Sequence, residues 1–519
     1  MANKSINNGD DGLKFTGKLF GGLRADISRR RPYYWDDFKQ GLHSKVAGAT
    51  LFLYFAALAN AIAFGALTGA LTGNQIGIME MIVVTAVGGI LFAIFSGQPL
   101  TILGGTGPIT IFTGLIFVTC GQLDLPFLAT YAWIGIWSGV LLLILAVADA
   151  SALMKYFTRF TDEIFAALIS VIFIVEAGKD ILNSFGDDGN GVSSAFLTFM
   201  VAMGTFSISL YLKQATKTPY LRRTYRNFLS DFGPSLAIVS MTMLALSFPE
   251  VKLNTPVVPE TISTTSGRPW LVNIFELPTW AIFATIGPAF LATILLFLDQ
   301  NITTRLVNSS DNKLKKGSGY HLDLAVVGII VLAGSIFALP WIVAATVHSL
   351  NHVKALANVK VENADGDTKK EVIVSVRENR LSGLGIHTMI AASLLCISYV
   401  AYIPMPVLFG LFLFMGFASL GGNQFFERIM LWVTDPKLYP SASYLKVVPS
   451  RDVHRFTFIQ LLCFILLWVL KTSKIGILFP LMIAALVPIR IFISSFFKKG
   501  AIEALVAEDS EEEEIGSTM

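Results

Sequence analysis

Apolar runs of bilayer-crossing length recur from residue 46 to residue 496, separated by polar linkers. A hydrocarbon layer of ~30 Å takes about 20 helical residues. Such runs lie near 46–70, 76–95, 125–149, 161–178, 193–212, 232–249, 279–299, 321–339, 385–403, 404–421, 456–471 and 475–496, and predict twelve full spans. Segments 99–120 and 340–357 are also apolar but interrupted. Gly104, Gly105, Gly107 and Pro108 break the first, and Pro340 and Trp341 open the second. With both counted, the pattern predicts an all-α integral membrane protein of about fourteen segments.

The broken segments are third and tenth in order, the same position in two halves of seven. An odd number of spans per half makes the halves opposite in orientation, and matched interrupted segments point to the binding site of an inverted-repeat transporter. The repeat rests on layout, since the halves share no evident residue-level identity.

Composition agrees with this class. Of 519 residues 54% are hydrophobic and 14% charged, with mean hydropathy +0.64, against about 25% charged in soluble domains. The N-terminal arm, the linkers 150–160, 213–230, 300–320, 354–384 and 422–455, and the C-terminal end hold 34 of the 39 Lys and Arg. Lys179, Lys252, Arg268, Lys471 and Lys474 fall in the opposite loops. Positive charge collects on the cytoplasmic side, so both termini are expected there. The first ~40 residues lack the apolar run of a signal peptide. The expected organisation is an arm at 1–45, one repeat at 46–249, an extracellular loop at 250–278, a second repeat at 279–496 and an acidic cytoplasmic tail at 497–519.

The remaining polar features read mostly as structural. Cys120, Cys396 and Cys463 lie in apolar runs without paired spacing and are expected to pack, not to bridge or bind metal. The tail Glu508-Asp-Ser-Glu-Glu-Glu-Glu514 and the charged linker 358–382 read as solvated or disordered. Asn301 and Asn308 open glycosylation-type triplets, but in a linker that its charge assigns to the cytoplasm. Glu80, Asp149, Asp162, Glu163 and Glu176 all lie near segment ends, and the three that flank the basic linker at 150–160 read as structural.

Chemistry concentrates at the breaks. In Thr106-Gly-Pro108 a threonine able to cap, a glycine able to turn and a proline suited to a first turn start a helix in mid-membrane. Free N–H groups and a positive dipole end then face the interior, which suits an anion. Glycine and proline also occur in ordinary membrane helices whose neighbours satisfy the freed groups. Ala344-Ala-Thr346 suits a second half-helix start from the opposite side. His348, just inside it, is either a packing histidine or one that changes charge near neutral pH.

Asp299 ends a strongly apolar run and Thr303 follows four residues later on the same helical face. Carboxylate and hydroxyl oxygens form a hard-ligand set for a small cation. The alternative is a carboxylate already solvated at the interface. A charge at the bilayer centre costs at least ~2.5–3.5 kcal/mol, whereas opposite charges ~4 Å apart recover ~4 kcal/mol at an effective dielectric of ~20. An anion therefore travels more cheaply with Na+, or beside a fixed cationic side chain.

These residues also carry a resemblance. The chain resembles the bicarbonate transporter family, which includes anion exchangers and sodium bicarbonate cotransporters, with borate transporters as distant members. The landmarks are Phe20-Gly-Gly-Leu-Arg24 with Arg29-Arg-Arg-Pro-Tyr-Tyr34, Tyr54-Phe-Ala-Ala-Leu58, Gln98-Pro-Leu100 with Thr106-Gly-Pro108, and Arg159-Phe-Thr-Asp-Glu-Ile-Phe165. Asp299-Gln-Asn-Ile-Thr303, Lys315-Lys-Gly-Ser-Gly-Tyr-His-Leu-Asp-Leu324, and Pro340-Trp341 with Ala344-Ala-Thr-Val347 complete the set.

The resemblance implies two inverted seven-segment repeats forming a core and a gate domain, with half-helices in segments 3 and 10. It further implies dimerisation through the gate and elevator-type alternating access at the plasma membrane. It assigns the substrate site to Thr106, Gly107, Pro108 and Ile109, to Ala344, Ala345, Thr346 and Val347, and to Asp299 and Thr303, which would hold Na+; His348 joins the substrate contacts by its position just inside the second start. Thr101-Ile-Leu103, Thr106-Gly-Pro108 and an Asp at 299 look like the sodium-coupled branch. His348, where anion exchangers carry Arg and many sodium-coupled members Leu, and Thr113, where Glu is common, depart from it. The large cytoplasmic domain of animal members is expected to be absent.

The expected function is secondary active transport of bicarbonate or carbonate, coupled to Na+, with no resident cofactor and no nucleic-acid partner. Chloride–bicarbonate exchange using protonated His348 is the alternative, and borate export a more remote one. A membrane enzyme would need a nucleophile–base set or a metal cluster within the spans, which the six dispersed His do not supply.

Overall fold

The computed structural model describes residues 11–186, 191–363, 369–440, 442–473, 475–497 and 500–506. The N-terminal arm forms α1 (Gly21–Arg30) and α2 (Tyr34–Gly41). The first half continues with α3 (Ser44–Leu71), α4 (Ile78–Phe95), β1 (Leu103–Gly104), α5 (Gly107–Gln122), α6 (Phe127–Val147), α7 (Arg159–Asn183), α8 (Gly191–Lys213) and α9 (Arg223–Leu246). The second half begins with α10 (Thr279–Ala284), α11 (Ile286–Val307), α12 (Tyr320–Ser335), β2 (Val343–Ala344) and α13 (Thr346–Leu356). The strands β3 (Ala357–Asn363) and β4 (Lys369–Val376) follow, then α14 (Leu381–Ser393), α15 (Met405–Leu420), α16 (Gln424–Met430), α17 (Ser443–Val447), α18 (Ser450–Thr472), α19 (Phe479–Ser494) and α20 (Ala501–Val506).

Every predicted apolar segment holds a helix. Among the described residues nine helices are long and apolar enough to cross a membrane, or ten when α15 and α16, bent by 81°, are taken as one span. α5 and α12 are apolar but shorter, α5 because the chain spends the preceding residues on irregular backbone.

The helices pack in two groups. In one, α12 lies along α6, α14 against α3 and α4, and α11 against α6. In the other, α15 lies against α7 and α8, α8 against α9, and α18 against α7 and α19. In lipid, close helix approach relies on small residues. A Cβ at Gly139 of α6 would lie 2.9 Å from the Gly328 carbonyl oxygen of α12, so that crossing requires glycine. Between the groups the contacts are largely aromatic. Phe64 of α3, Phe173 of α7 and Phe412 of α15 sit with ring centroids 5.6–6.1 Å apart, and Phe112 of α5 meets Phe479 of α19.

The charged linker departs from expectation. Rather than being disordered, its described residues 357–363 and 369–376 pair as antiparallel strands, Ala357 with Val376 and Asn363 with Lys369. Its β-branched valines outweigh its charges locally, and Glu378 beyond it pairs with Arg30 at 3.1 Å. Cys120 and Cys463 are buried as expected, but Cys396 is exposed where the helix kinks after α14. The acidic run 508–514 lies outside the described residues.

The carboxylates at segment ends are structural. Asp149 accepts from the Gly22 N–H at 2.7 Å, Asp162 pairs with Arg305, and Glu163 pairs with Arg428 at 2.5 Å. Glu80 caps α4, accepting from the N–H groups of Gly77 and Thr265, both at 2.9 Å.

The arm is anchored by buried charge. Asp26 accepts from the N–H groups of His321 and Leu322 at 2.8 and 3.1 Å and pairs with Arg29. Burial pushes its carboxyl up from 3.8 to about 6, against the pull of Arg29. The folded arm therefore holds this proton more tightly than the unfolded chain. Its contribution to stability is complete below about pH 4 and is lost as pH rises through about 6. Thermal unfolding in detergent should show this loss, and Asp26→Asn should flatten the slope over that interval. An unchanged slope in the variant would contradict the assignment.

Candidate functional site

Two half-helices begin face to face in the middle of the bundle. Before α5 and α13 the chain runs extended, and there β1 and β2 pair antiparallel, Leu103 with Ala344 and Gly104 with Val343. The Ala345 N–H donates to the Ile102 carbonyl at 2.8 Å, and Ser349 Oγ accepts from the Ile102 N–H at 3.0 Å. These bonds satisfy backbone that would otherwise be costly at this depth. The pairing also brings two helix N-termini together from opposite halves of the chain.

α5 starts at Gly107 with Pro108 in its first turn, and α13 starts at Thr346 after Ala345. Thr106 has the extended conformation of a cap residue, yet its hydroxyl makes no cap bond. It donates instead to Asp299 Oδ2 at 2.7 Å. The expectation that Thr106 caps the helix through its side chain is thus corrected: the rotamer that donates to the buried carboxylate opposite leaves its oxygen without a cap bond from the first-turn N–H groups. The first-turn N–H groups of both helices lack intrahelical partners by geometry.

α11 crosses beneath both starts and ties them together. Asp299, 7% exposed, faces α5 through Thr106, so it is not a carboxylate solvated at the interface. One turn on, Thr303 Oγ1 lies 2.6 Å from Thr346 Oγ1 and 3.2 Å from the Ala344 carbonyl. The i, i+4 spacing read from the sequence thus sets the carboxylate on one half-helix and the hydroxyl on the other. Oxygens of Asp299 and Thr106 thus meet at one half-helix start and those of Thr303 and Thr346 at the other, beside two positive helix ends that favour an anion.

The other predicted residues divide. Gly107, Pro108, Ile109 and Ala345 are buried at the starts, while the Val347 side chain is 57% exposed. His348 turns to α3, with Nε2 3.2 Å from the Ala56 carbonyl oxygen, which fits the packing reading. A Cβ at Gly107 would lie 2.8 Å from the Phe173 ring, so glycine lets α5 reach the aromatic seam.

Several positioning residues were not read from the sequence. Gln300 accepts from the Ala344 N–H at 2.9 Å, and Asn60 of α3 donates to the Gly105 carbonyl at 3.2 Å. Asp323 of α12 accepts from the N–H groups of Gly97 and Gln98 at 2.6 and 3.0 Å, and Gln98 reaches Asn308 at 2.8 Å. In the sequence Gln98-Pro-Leu100 and the motif ending at Leu324 stand as separate stretches. A buried Asn, Gln or Asp in an apolar run was the available signal, but nothing in the sequence names its partner.

Known proteins share this sequence and fold. The family model described as HCO3- transporter integral membrane domain matches residues 18–190 and 188–510. The sodium-driven chloride bicarbonate exchanger of Homo sapiens is 36% identical over 588 residues, covering 98% of this chain and 52% of that protein. The electroneutral sodium bicarbonate exchanger 1 of Mus musculus is 36% identical, covering 94% of this chain and 51% of that one. The band 3 anion transport protein of Rattus norvegicus is 35% identical, covering 96% and 56%. The chain thus spans about half the length of these relatives. Among solved structures, the transmembrane domain of a cyanobacterium bicarbonate transporter, BicA, matches with a TM-score of 0.57 at 15% identity, over 82% of this chain and 96% of that one. SLC26A9 matches with a TM-score of 0.60 at 13% identity, over 91% and 69%. At such identities these two share the fold. The chain belongs to the bicarbonate transporter family and is an integral membrane protein.

Proposed function

We propose that this protein is a secondary active transporter that carries bicarbonate or carbonate together with Na+. The observation that carries this reading is α11 joining the two half-helix starts, Asp299 to Thr106 at 2.7 Å and Thr303 to Thr346 at 2.6 Å. The free first-turn N–H groups, those of Gly107 and Ile109 in α5 and of Thr346, Val347 and His348 in α13, hold the anion. Asp299 and Thr303 hold Na+, which offsets the carboxylate that would otherwise repel the substrate. The names of the relatives, sodium-driven and electroneutral bicarbonate exchangers among them, support both ions.

Uptake of labelled bicarbonate into proteoliposomes, with Na+ or choline outside and with or without chloride inside, tests this reading. Uptake that requires Na+ supports symport. Uptake that requires internal chloride but not Na+ would overturn it in favour of chloride–bicarbonate exchange.

Movement follows from the packing. In this reading α3–α6 and α11–α14 form the core, α7–α9, α15, α18 and α19 form the gate, and the aromatic seam is the sliding surface of an elevator. The fourteen segments all cross, both termini face the cytoplasm of a plasma-membrane protein, and two copies meet through their gates. Arg305 of α11 donates to the Phe157 carbonyl at 2.6 Å and pairs with Asp162 of α7, so it latches core to gate. Both side chains are about one-fifth exposed, which limits such a pair to ~1 kcal/mol. Arg305→Gln should therefore raise the uptake rate about two- to fivefold with the half-saturating Na+ concentration unchanged. An unchanged rate, or a shifted Na+ requirement, would count against the latch.

A further inference from the structure

At the cation-rich end of the bundle, α18 presents a stripe that transport does not use. Arg451, His454, Arg455 and Phe458 follow the i, i+3, i+4, i+7 spacing of one helical face. With Phe496 and Phe497, just beyond α19, they line a cavity of about 840 Å³. Charge sits at the end of the helix and aromatic surface lies one turn further in. Phe458 is 53% exposed and Phe496 68%.

The electrostatics are one-sided. Arg451, His454 and Arg455 occupy the first two turns of α18, where the helix dipole favours negative charge and disfavours positive. Asp452 offsets this weakly, 3.8 Å from Arg455. The Nε2 of His454 lies 3.5 Å from Tyr439 Oη, while its Nδ1 is buried and has no hydrogen-bond partner among the described residues. An anionic group here would meet two guanidiniums and the positive end of α18 together, beside the His454 ring that also lines the cavity. The phenylalanine side of the cavity offers nothing to a free ion but suits an acyl chain. Basic pockets between membrane helices on the cytoplasmic side take lipid headgroups in this way.

We propose that this cavity binds one anionic phospholipid, its phosphate at Arg451, His454 and Arg455 and its acyl chains along Phe458, Phe496 and Phe497. The site lies apart from Asp299 and Thr303 and does not depend on the transport reading.

Native mass spectrometry of the purified full chain tests it, with short-chain phosphatidylglycerol, short-chain phosphatidylcholine and inorganic phosphate titrated separately. One phosphatidylglycerol should bind in preference to phosphatidylcholine, and phosphate should not compete at equal concentration. Arg451→Gln with Arg455→Gln should weaken phosphatidylglycerol binding roughly 30-fold, and Arg451→Gln alone roughly fivefold. Both arginines are exposed, so the fold should tolerate the changes. Lys217→Gln with Arg222→Gln, exposed basic residues in another linker, should have no effect. Equal binding of phosphatidylcholine, full competition by phosphate, or an unchanged affinity in the double Arg variant would each overturn the proposal.

Discussion

Asp299→Asn should reduce Na+-dependent bicarbonate uptake by at least about 100-fold while leaving the protein folded. The substitution keeps the size of the side chain and an oxygen that can accept from Thr106, so the 2.7 Å bond closing α5 onto α11 can persist. What disappears is the negative charge. Without it the half-helix starts have no carboxylate to draw Na+ from water, and the anion must enter alone against a cost of at least ~2.5–3.5 kcal/mol, roughly 100-fold or more in rate. The measurement is initial uptake in proteoliposomes at matched protein density, with thermal unfolding as the folding control. Thr303→Val, which removes a hydroxyl between Thr346 and the Ala344 carbonyl, should instead raise the Na+ concentration needed for half-maximal uptake. Wild-type uptake in Asp299→Asn would remove Asp299 from the mechanism.

The largest expected effect on stability lies away from the ions. Arg380→Met should destabilise the protein by about 3–5 kcal/mol, the range for breaking a buried ionic network by removing one partner. Arg380 is 2% exposed and stands just before α14. Its guanidinium donates to the carbonyls of Ala93, Ile94 and Ser96 at 2.7–3.1 Å, the last acceptors of α4, which have no partners inside that helix. It also pairs with Asp37 at 3.3 Å and lies over the Tyr34 ring at 4.8 Å. One side chain thus ends α4, positions the chain that leads into the first broken segment and holds the arm. Lysine would keep the charge but lose the fork that reaches three carbonyls, so Arg380→Lys should recover only part of the loss. A thermal unfolding midpoint in Arg380→Met equal to that of the parent would refute this role.

The two substitutions separate what the site does from what holds it. α11 delivers chemistry to both half-helices, whereas Asp323, Gln98, Gln300, Asn60 and Ser349 hold the backbone that flanks β1 and β2. None of these was a candidate at first reading. Each is an ordinary polar residue in an apolar run, and its importance lies in a partner elsewhere. Thr106 and Asp299 are 193 positions apart, and Gly97 and Asp323 are 226 apart. Neither propensity nor periodicity carries that information.

By itself, the sequence determined whatever is local. Hydropathy marked the apolar segments, because a helix in lipid must be apolar around most of its surface. Gly107 and Pro108 marked the first half-helix start, and Pro340 with the small residues Ala344-Ala-Thr346 the second, because only certain residues suit a first turn or let backbone pass closely. The four-residue spacing of Asp299 and Thr303 set them on one face of one helix. Tertiary structure decided the rest: that β1 pairs with β2, that Thr106 bonds a carboxylate instead of capping its own helix, that His348 turns toward α3, and that β3 pairs with β4 in the charged linker. These outcomes depend on which unsatisfied polar groups meet once the two halves interlock, and buried hydrogen-bonding groups take the best partner in space, whatever their distance along the chain.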